Sequence, residues 1–170
     1  MIKILTHDNA KDFQNLIIEA YQNEPLTFLH EFYDGDHLNL KDLRHLLHPD
    51  NHNRNVVFGA FDNQKLVGMI ELDFIPHPSK KHKAFIQSLY VSPKYRGQSL
   101  SYQLMETLIK HARSQHIEQL MLAIASNNIQ AKIFFNNLGF EFFALEEAAR
   151  KINNQYIEEH WLIYNIGDSK

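Results

Sequence analysis

The chain has 170 residues, 44% of them apolar and 22% charged, with a net charge of −3 and a pI near 6.4. This implies a single domain over 1–170 with a sizeable core, and argues against a disordered chain or a dedicated nucleic-acid binder, which should be more basic. The absence of cysteine excludes a disulfide framework and a thiol nucleophile and fits a cytoplasmic protein, while no stretch has the apolar length of a membrane span and the N-terminus lacks a signal-peptide core.

Ile2 to Leu5 reads as a short first strand. Thr6 or Asp8 can cap the helix that follows. There Phe13, Leu16, Ile17, Ala20 and Tyr21 fall at helical spacing as a core stripe. Pro25 breaks that helix, and Asp34-Gly35-Asp36 is a turn. Between them Phe28, Leu29, Phe32 and Tyr33 suggest a short amphipathic helix, with His30, Glu31 and Tyr33 adding polar groups. Asn39 to Leu47 is a second short helix with Leu40, Leu43, Leu46 and Leu47 inward. His45, His48 and His52 follow each other closely. Pro49 keeps helical spacing from reaching His52, so solvated histidines are favoured over a zinc set and no metal is expected.

Asn55 to Phe61 and Leu66 to Ile75 read as strands joined by a hairpin turn, with Gly68 a candidate bulge. Glu71 and Asp73, two residues apart, share a face of the second. Pro78 to Lys83 is a basic run that reads as solvated loop. Phe85 to Val91 is an apolar strand ended by Ser92-Pro93, because proline lacks a ladder donor. Lys94 to Gln98 is a basic loop. From about Ser99, Leu100, Leu104, Leu108 and Ala112 recur every four residues, with Met105 and Ile109 widening the stripe. The first N–H groups of such a helix lack internal partners and sit at the positive end of its dipole, so this turn can hold an anion.

Glu118 to Ala125 is an apolar strand, which makes the strand-helix-strand unit a parallel right-handed crossover. Asn127 or Asn128 caps the next helix, with Ile129, Ile133, Phe134 and Leu138 as its core stripe and Gly139 as its stop. Phe140 to Leu145 is the next strand. Glu146 to Gln155 is polar and reads as exposed. Tyr156 to Ile166 closes the sheet as a long antiparallel partner.

Two segments carry a resemblance. Val91-x-x-x-x-Arg96-Gly97-x-Ser99-x-Ser101 resembles the pyrophosphate loop of the GCN5-related N-acetyltransferase (GNAT) superfamily. Asn128-x-x-Ala131-x-x-Phe134-Phe135-x-x-Leu138-Gly139-Phe140 resembles its second signature, in the right order downstream. The resemblance implies an α/β fold with a mixed sheet of about seven strands and four helices. It implies transfer of an acetyl group from acetyl-CoA, as cosubstrate, to a primary amine of a small molecule or peptide. Arg96, Gly97, Gln98, Ser99, Leu100 and Ser101 would then hold the pyrophosphate. Leu89, Tyr90 and Val91 would form the strand edge that binds the pantetheine amides, with a backbone N–H near Leu89 or Tyr90 facing the thioester oxygen. Asn128 and Phe135 would flank the cofactor. The first crossover, with His30, Glu31 and Tyr33, would meet the acceptor. A homodimer is also a family expectation; a nucleic-acid or membrane partner is not.

The sequence departs from the family pattern at four positions. Ser99 and Ser101 stand where glycine and glycine or alanine are usual. Gln87 replaces a strand glutamate that serves as general base, and Phe135 replaces a tyrosine that protonates the leaving thiolate. A thiol with a pKa of about 8.5 can leave without an acid. The base is the larger gap, because an alkyl ammonium with a pKa of about 10.4 is only ~10⁻³ nucleophilic at pH 7. Glu71 and Asp73 are the best local substitutes, followed by Glu31 or His30. Two rivals remain: an acyl-CoA-binding module without catalysis, and a protein-interaction role through the last strand (Trp161, Leu162, Tyr164).

Overall fold

The computed structural model describes residues 1–25, 27 and 38–167. The stretch expected to form the acceptor helix, with His30, Glu31 and Tyr33, lies outside the described residues. The rest builds one seven-stranded sheet. Strands β1 (Ile2–Ile4), β2 (Asn55–Asp62), β3 (Lys65–Phe74) and β4 (Lys83–Val91) are consecutive and antiparallel. Next comes β5 (Gln119–Ala125), parallel to β4 as the crossover requires. Strand β7 (Gln155–Asn165) lies against β5, and β6 (Glu141–Ile152) is the outer edge. The last strand therefore inserts into the sheet, and its predecessor closes it.

Helices cover the two faces unequally. Helix α1 (Ala10–Asn23) and α2 (Leu40–Leu46) pack Phe13, Leu16, Ile17 and Leu43 against Val57, Met69 and Tyr90, which point to one face of β2–β4. Helix α3 (Leu100–Ser114) puts Leu104, Met105, Leu108 and Ala112 against the other face, through Phe58, Ile70, Leu72 and Ile86. Helix α4 (Ile129–Asn137) joins that second core through Phe135. Leu122, Ile124 and Leu162 belong to it as well, so the opposite face of β5 and β7 carries Ala123, Ala125, Glu159 and Trp161.

Some local expectations hold and others are corrected. Thr6, as expected, and not Asp8, is the N-cap of a 3-10 turn (His7–Asn9) that runs directly into α1, and Asn9 Oδ1 accepts from the Thr6 N–H at 3.0 Å. Asn128 caps α4 by accepting from the Ala131 N–H at 3.1 Å. Ile129 and Ile133 are exposed, and Phe135 is the buried residue of that helix. The polar stretch after Leu145 is strand: β6 runs on to Ile152 through register shifts at Phe142/Ala144 and Glu146/Arg150. Those shifts break the period-2 alternation that would have revealed it. Asn153 and Asn154, with φ of 49° and 61°, then form the tight turn into β7, a conformation asparagine tolerates better than most residues. In β3 the irregularity falls at Val67, one residue before Gly68.

His45 and His48 are exposed, as expected, whereas His52 is half-buried. His48 Nδ1 accepts from the Asp50 N–H at 3.2 Å, and His52 Nε2 is buried without a partner among the described residues. No group of three or more side chains able to ligate a metal occurs among the described residues. No described helix is long and apolar enough to cross a membrane.

Candidate active site

Strands β4 and β5 pair only at their starts, through Lys83–Gln119, Ala84–Leu120 and Phe85–Met121. Beyond Phe85 they part. The cause lies in β4. Gln87 stands opposite Glu71 and Tyr90 opposite Met69, so Ser88 and Leu89 face the single residue Ile70. That is a β-bulge, and Ser88 takes a φ of 58° to make it. A bulge bends and twists its strand. Here it turns the end of β4 away from β5 and opens a cleft of about 680 Å³ through the sheet.

One end of the cleft meets the start of α3. Gly97 and Ser99 both lie in the left-handed region, at φ 77° and 59°. Gly97 faces open space, and Ser99 is the helix cap. The serine thus adopts the backbone its glycine counterpart would have, at a steric cost on the order of 1 kcal/mol. Its hydroxyl accepts from the Gln103 side chain at 3.1 Å. Ser101, the second residue of the helix, lines the cleft. Arg96 is turned back: its Nε donates to the Val91 carbonyl at 2.9 Å, and its Nη2 meets Glu24 Oε1 at 2.5 Å. A phosphate here would therefore rely on the backbone N–H groups at the start of α3, with Arg96 staying on Glu24 or releasing it.

The cleft walls suit a long, amide-bearing arm. Leu89, Tyr90 and Val91 border one side and Leu122 to Ala125 the other, with Asn128, Phe134 and Phe135 completing it. Both strand edges carry backbone groups that make no ladder with each other. The sequence-assigned cofactor residues Leu89, Tyr90, Val91, Arg96, Ser101, Asn128 and Phe135 all border this one space. Gly97, Gln98, Ser99 and Leu100 form the loop at its end. The Tyr90 side chain points elsewhere. It is buried under α1, donates to Glu19 Oε1 at 3.1 Å and accepts from Asn23 at 2.9 Å. Burial pushes its pKa above the ordinary phenol value, with the Asn23 bond opposing.

The carboxylates divide into two sets. Glu71 and Asp73 do share a face, beside Gln87 and Phe85 as the strand pairing requires. Glu71 is only 4% exposed. Its oxygens accept from the Asn55 amide and, at 3.0 Å, from the Ser88 hydroxyl on the bulge; Asn55 also donates to Asp73. Neither acid is among the cleft-lining residues, whereas Glu146 and Glu159 are. Glu159 is 8% exposed and takes a bond from Arg150 Nε at 3.2 Å. Trp161 donates its indole N–H to Glu146 at 2.9 Å and sets its ring edge-on to Phe85. Trp161 is thus neither core nor free surface but part of the cleft.

The GNAT acetyltransferase domain matches residues 2–161 of this chain. The protein belongs to the GNAT acetyltransferase family. A Staphylococcus epidermidis protein described as a probable acetyltransferase is 32% identical, with 97% of this chain and 98% of that one superposed at a TM-score of 0.83. Streptothricin acetyltransferase of Escherichia coli is 28% identical over 110 residues, which span 65% of this chain and 61% of that relative's length. A Salmonella typhimurium protein solved with its cofactor acetyl-CoA shares the fold at a TM-score of 0.83 and 13% identity, over 100% of this chain and 95% of that one.

Within this GNAT domain the cleft-lining residues at the start of α3 and on α4 were legible in the two motifs. The β6–β7 side was not. Glu146, Arg150 and Glu159 sit in a charge-rich run that looks like any solvated face. The one available signal was Trp161, a large amphipathic ring whose N–H needs a partner when shielded from water.

Proposed function

We propose that the protein transfers an acetyl group from acetyl-CoA to a primary amine of a small molecule or peptide. The observation that carries this is the parting of β4 from β5 beside a helix start whose first N–H groups have no intrahelical partner. The bulge exposes backbone N–H and C=O groups along β4, which the peptide-like pantetheine arm can pair with as an extra strand. A backbone N–H near Leu89 or Tyr90 would then face the thioester oxygen and stabilise the negative charge that develops on it. Phe135 is buried between Phe134 and Phe140 and supplies no proton. The thiolate needs none, since its conjugate acid has a pKa of about 8.5. Acids in the wall of the cleft, Glu146 and Glu159, favour a cationic acceptor, and the Phe85–Trp161 pair offers its carbon chain an apolar surface.

Calorimetric titration with acetyl-CoA and with free CoA tests the donor half. The expected result is micromolar binding with a preference for the acetylated form. A thiol-release assay over a panel of alkyl amines tests the transfer. Binding without thiol release from any amine would leave an acyl-CoA-binding module and overturn the reading.

A further inference from the structure

The reaction needs a proton acceptor, and of the described candidates neither Glu71 nor Asp73 is among the cleft-lining residues. Gln87 has an amide and cannot take a proton at any working pH. Glu71 lies beneath the bulge, with Asn55 and Ser88 bonded to its oxygens, and outside the cleft lining. The Tyr90 hydroxyl faces α1 and donates to Glu19.

The strand registers place another carboxylate at the right height. Phe85 is level with Met121 where β4 and β5 still pair. Carrying that register forward and leaving out the one bulged residue brings Leu89 level with Ile124 and Tyr90 level with Ala125. Ala125 pairs with Glu159 on β7. Adjacent strands are about 4.8 Å apart. Glu159 therefore stands one strand beyond the β5 wall, level with the backbone that would face the thioester. Side-chain alternation sets it on the face opposite Leu162, away from the α3–α4 core. It is a charged group shielded from water in the wall of the cleft, and Arg150 holds one of its oxygens. Glu146, by contrast, is exposed and tied to Trp161.

We infer that Glu159 is the catalytic base that removes the proton from the acceptor ammonium, with Arg150 as the residue that positions it. This rests on the acetyltransferase reading above. In the step, one ammonium proton passes to a Glu159 oxygen, directly or through one water. The freed nitrogen lone pair forms the C–N bond to the thioester carbonyl carbon. The tetrahedral adduct then expels the CoA thiolate as the C–S bond breaks. The second proton leaves nitrogen for the thiolate, and Glu159 returns its own to solvent. The products are the amide, CoA and one proton.

The test compares wild type, Glu159→Gln, Glu159→Asp, Arg150→Gln and Glu71→Gln, with acetyl-CoA and 1,5-diaminopentane as the lead amine of an alkylamine panel. Glu159→Gln should lower kcat/KM by on the order of 10²-fold or more, the usual range for a lost base. It should also erase the acid limb of the pH–rate profile while leaving acetyl-CoA affinity unchanged. Glu159→Asp should restore part of the rate and the limb, and Arg150→Gln should keep the limb. If Glu159→Gln retains the wild-type rate and profile, the inference fails and the acetyltransferase reading stands. The same holds if Arg150→Gln reproduces the Glu159→Gln loss and profile in full, which would make the pair a structural clasp. If Glu71→Gln alone removes the acid limb, the base is Glu71. If wild type binds acetyl-CoA but acetylates no amine, the acetyltransferase reading falls and takes this inference with it.

Discussion

The two halves of the sheet meet solvent in opposite ways. In β2, seven of eight residues are buried; in β6, twelve residues long, none is. The first half is covered by α1 and α2 on one face and α3 on the other. The second half has α4 on one face, while the other presents Trp161, Glu159 and Arg150 to the cleft. The difference separates stability from recognition. The β1–β4 half holds most of the close-packed core, whereas the β5–β7–β6 half keeps charged and aromatic groups where a ligand can reach them.

Core truncation should break this comparison most visibly if it is wrong. Leu72→Ala, in a side chain with no exposure, should cost about 3 kcal/mol in urea unfolding. Phe142→Ala, at 55% exposure on β6, should cost under about 1 kcal/mol. Equal losses would mean that both halves carry the core. The acids sharpen the same contrast. Glu71→Ala leaves the Asn55 amide and the Ser88 hydroxyl short of a partner and should cost about 2 kcal/mol. Glu146→Ala should stay under about 1 kcal/mol in the same unfolding measurement.

A smaller effect concerns the start of α3. Ser99→Gly removes a Cβ from a left-handed residue and should stabilise by about 0.5–1 kcal/mol, less whatever entropy the glycine adds to the unfolded chain. A thermal melt that moved downward would show that the Ser99 hydroxyl matters more than its backbone. The smallest effect is a pH dependence. His111, on α3 against the Phe58 ring, has its pKa lowered by burial first and by nearby His52 second. The unfolded chain takes up that proton near pH 6.5, the folded one only at lower pH. Its contribution to stability is thus complete above about pH 6.5 and is lost as pH falls towards the folded value. Unfolding midpoints at pH 7.5 and 5.5 should differ less in His111→Gln than in wild type.

How much of this was legible depended on where local pattern and tertiary demand agreed. Leu104, Leu108 and Ala112 recur at helical spacing and are buried, because α3 has a sheet beneath its whole stripe. Ile129 and Ile133 recur as well and are exposed, because short α4 covers the sheet only through Phe135 and its neighbours. The bulge at Ser88 left no mark: serine has no preference for a positive φ, and the flanking residues read as uninterrupted strand. The loop before α3 was visible because its pattern is local in sequence. Glu159 was not, because its meaning comes from a register across three strands.

The parting of β4 from β5 has a consequence for exchange with solvent water. Beyond Phe85 the sheet has two internal rims where other sheets have a seam. An arm that pairs with those rims completes the seam. Within residues 88–91 and 122–125, the amide hydrogens that point into the gap rather than to β3 or β7 should then exchange fast in the free protein and slowly once acetyl-CoA is bound. The substrate is in that sense a temporary strand, and the protein should be least tightly knit at the moment when product has gone and the next donor has not arrived.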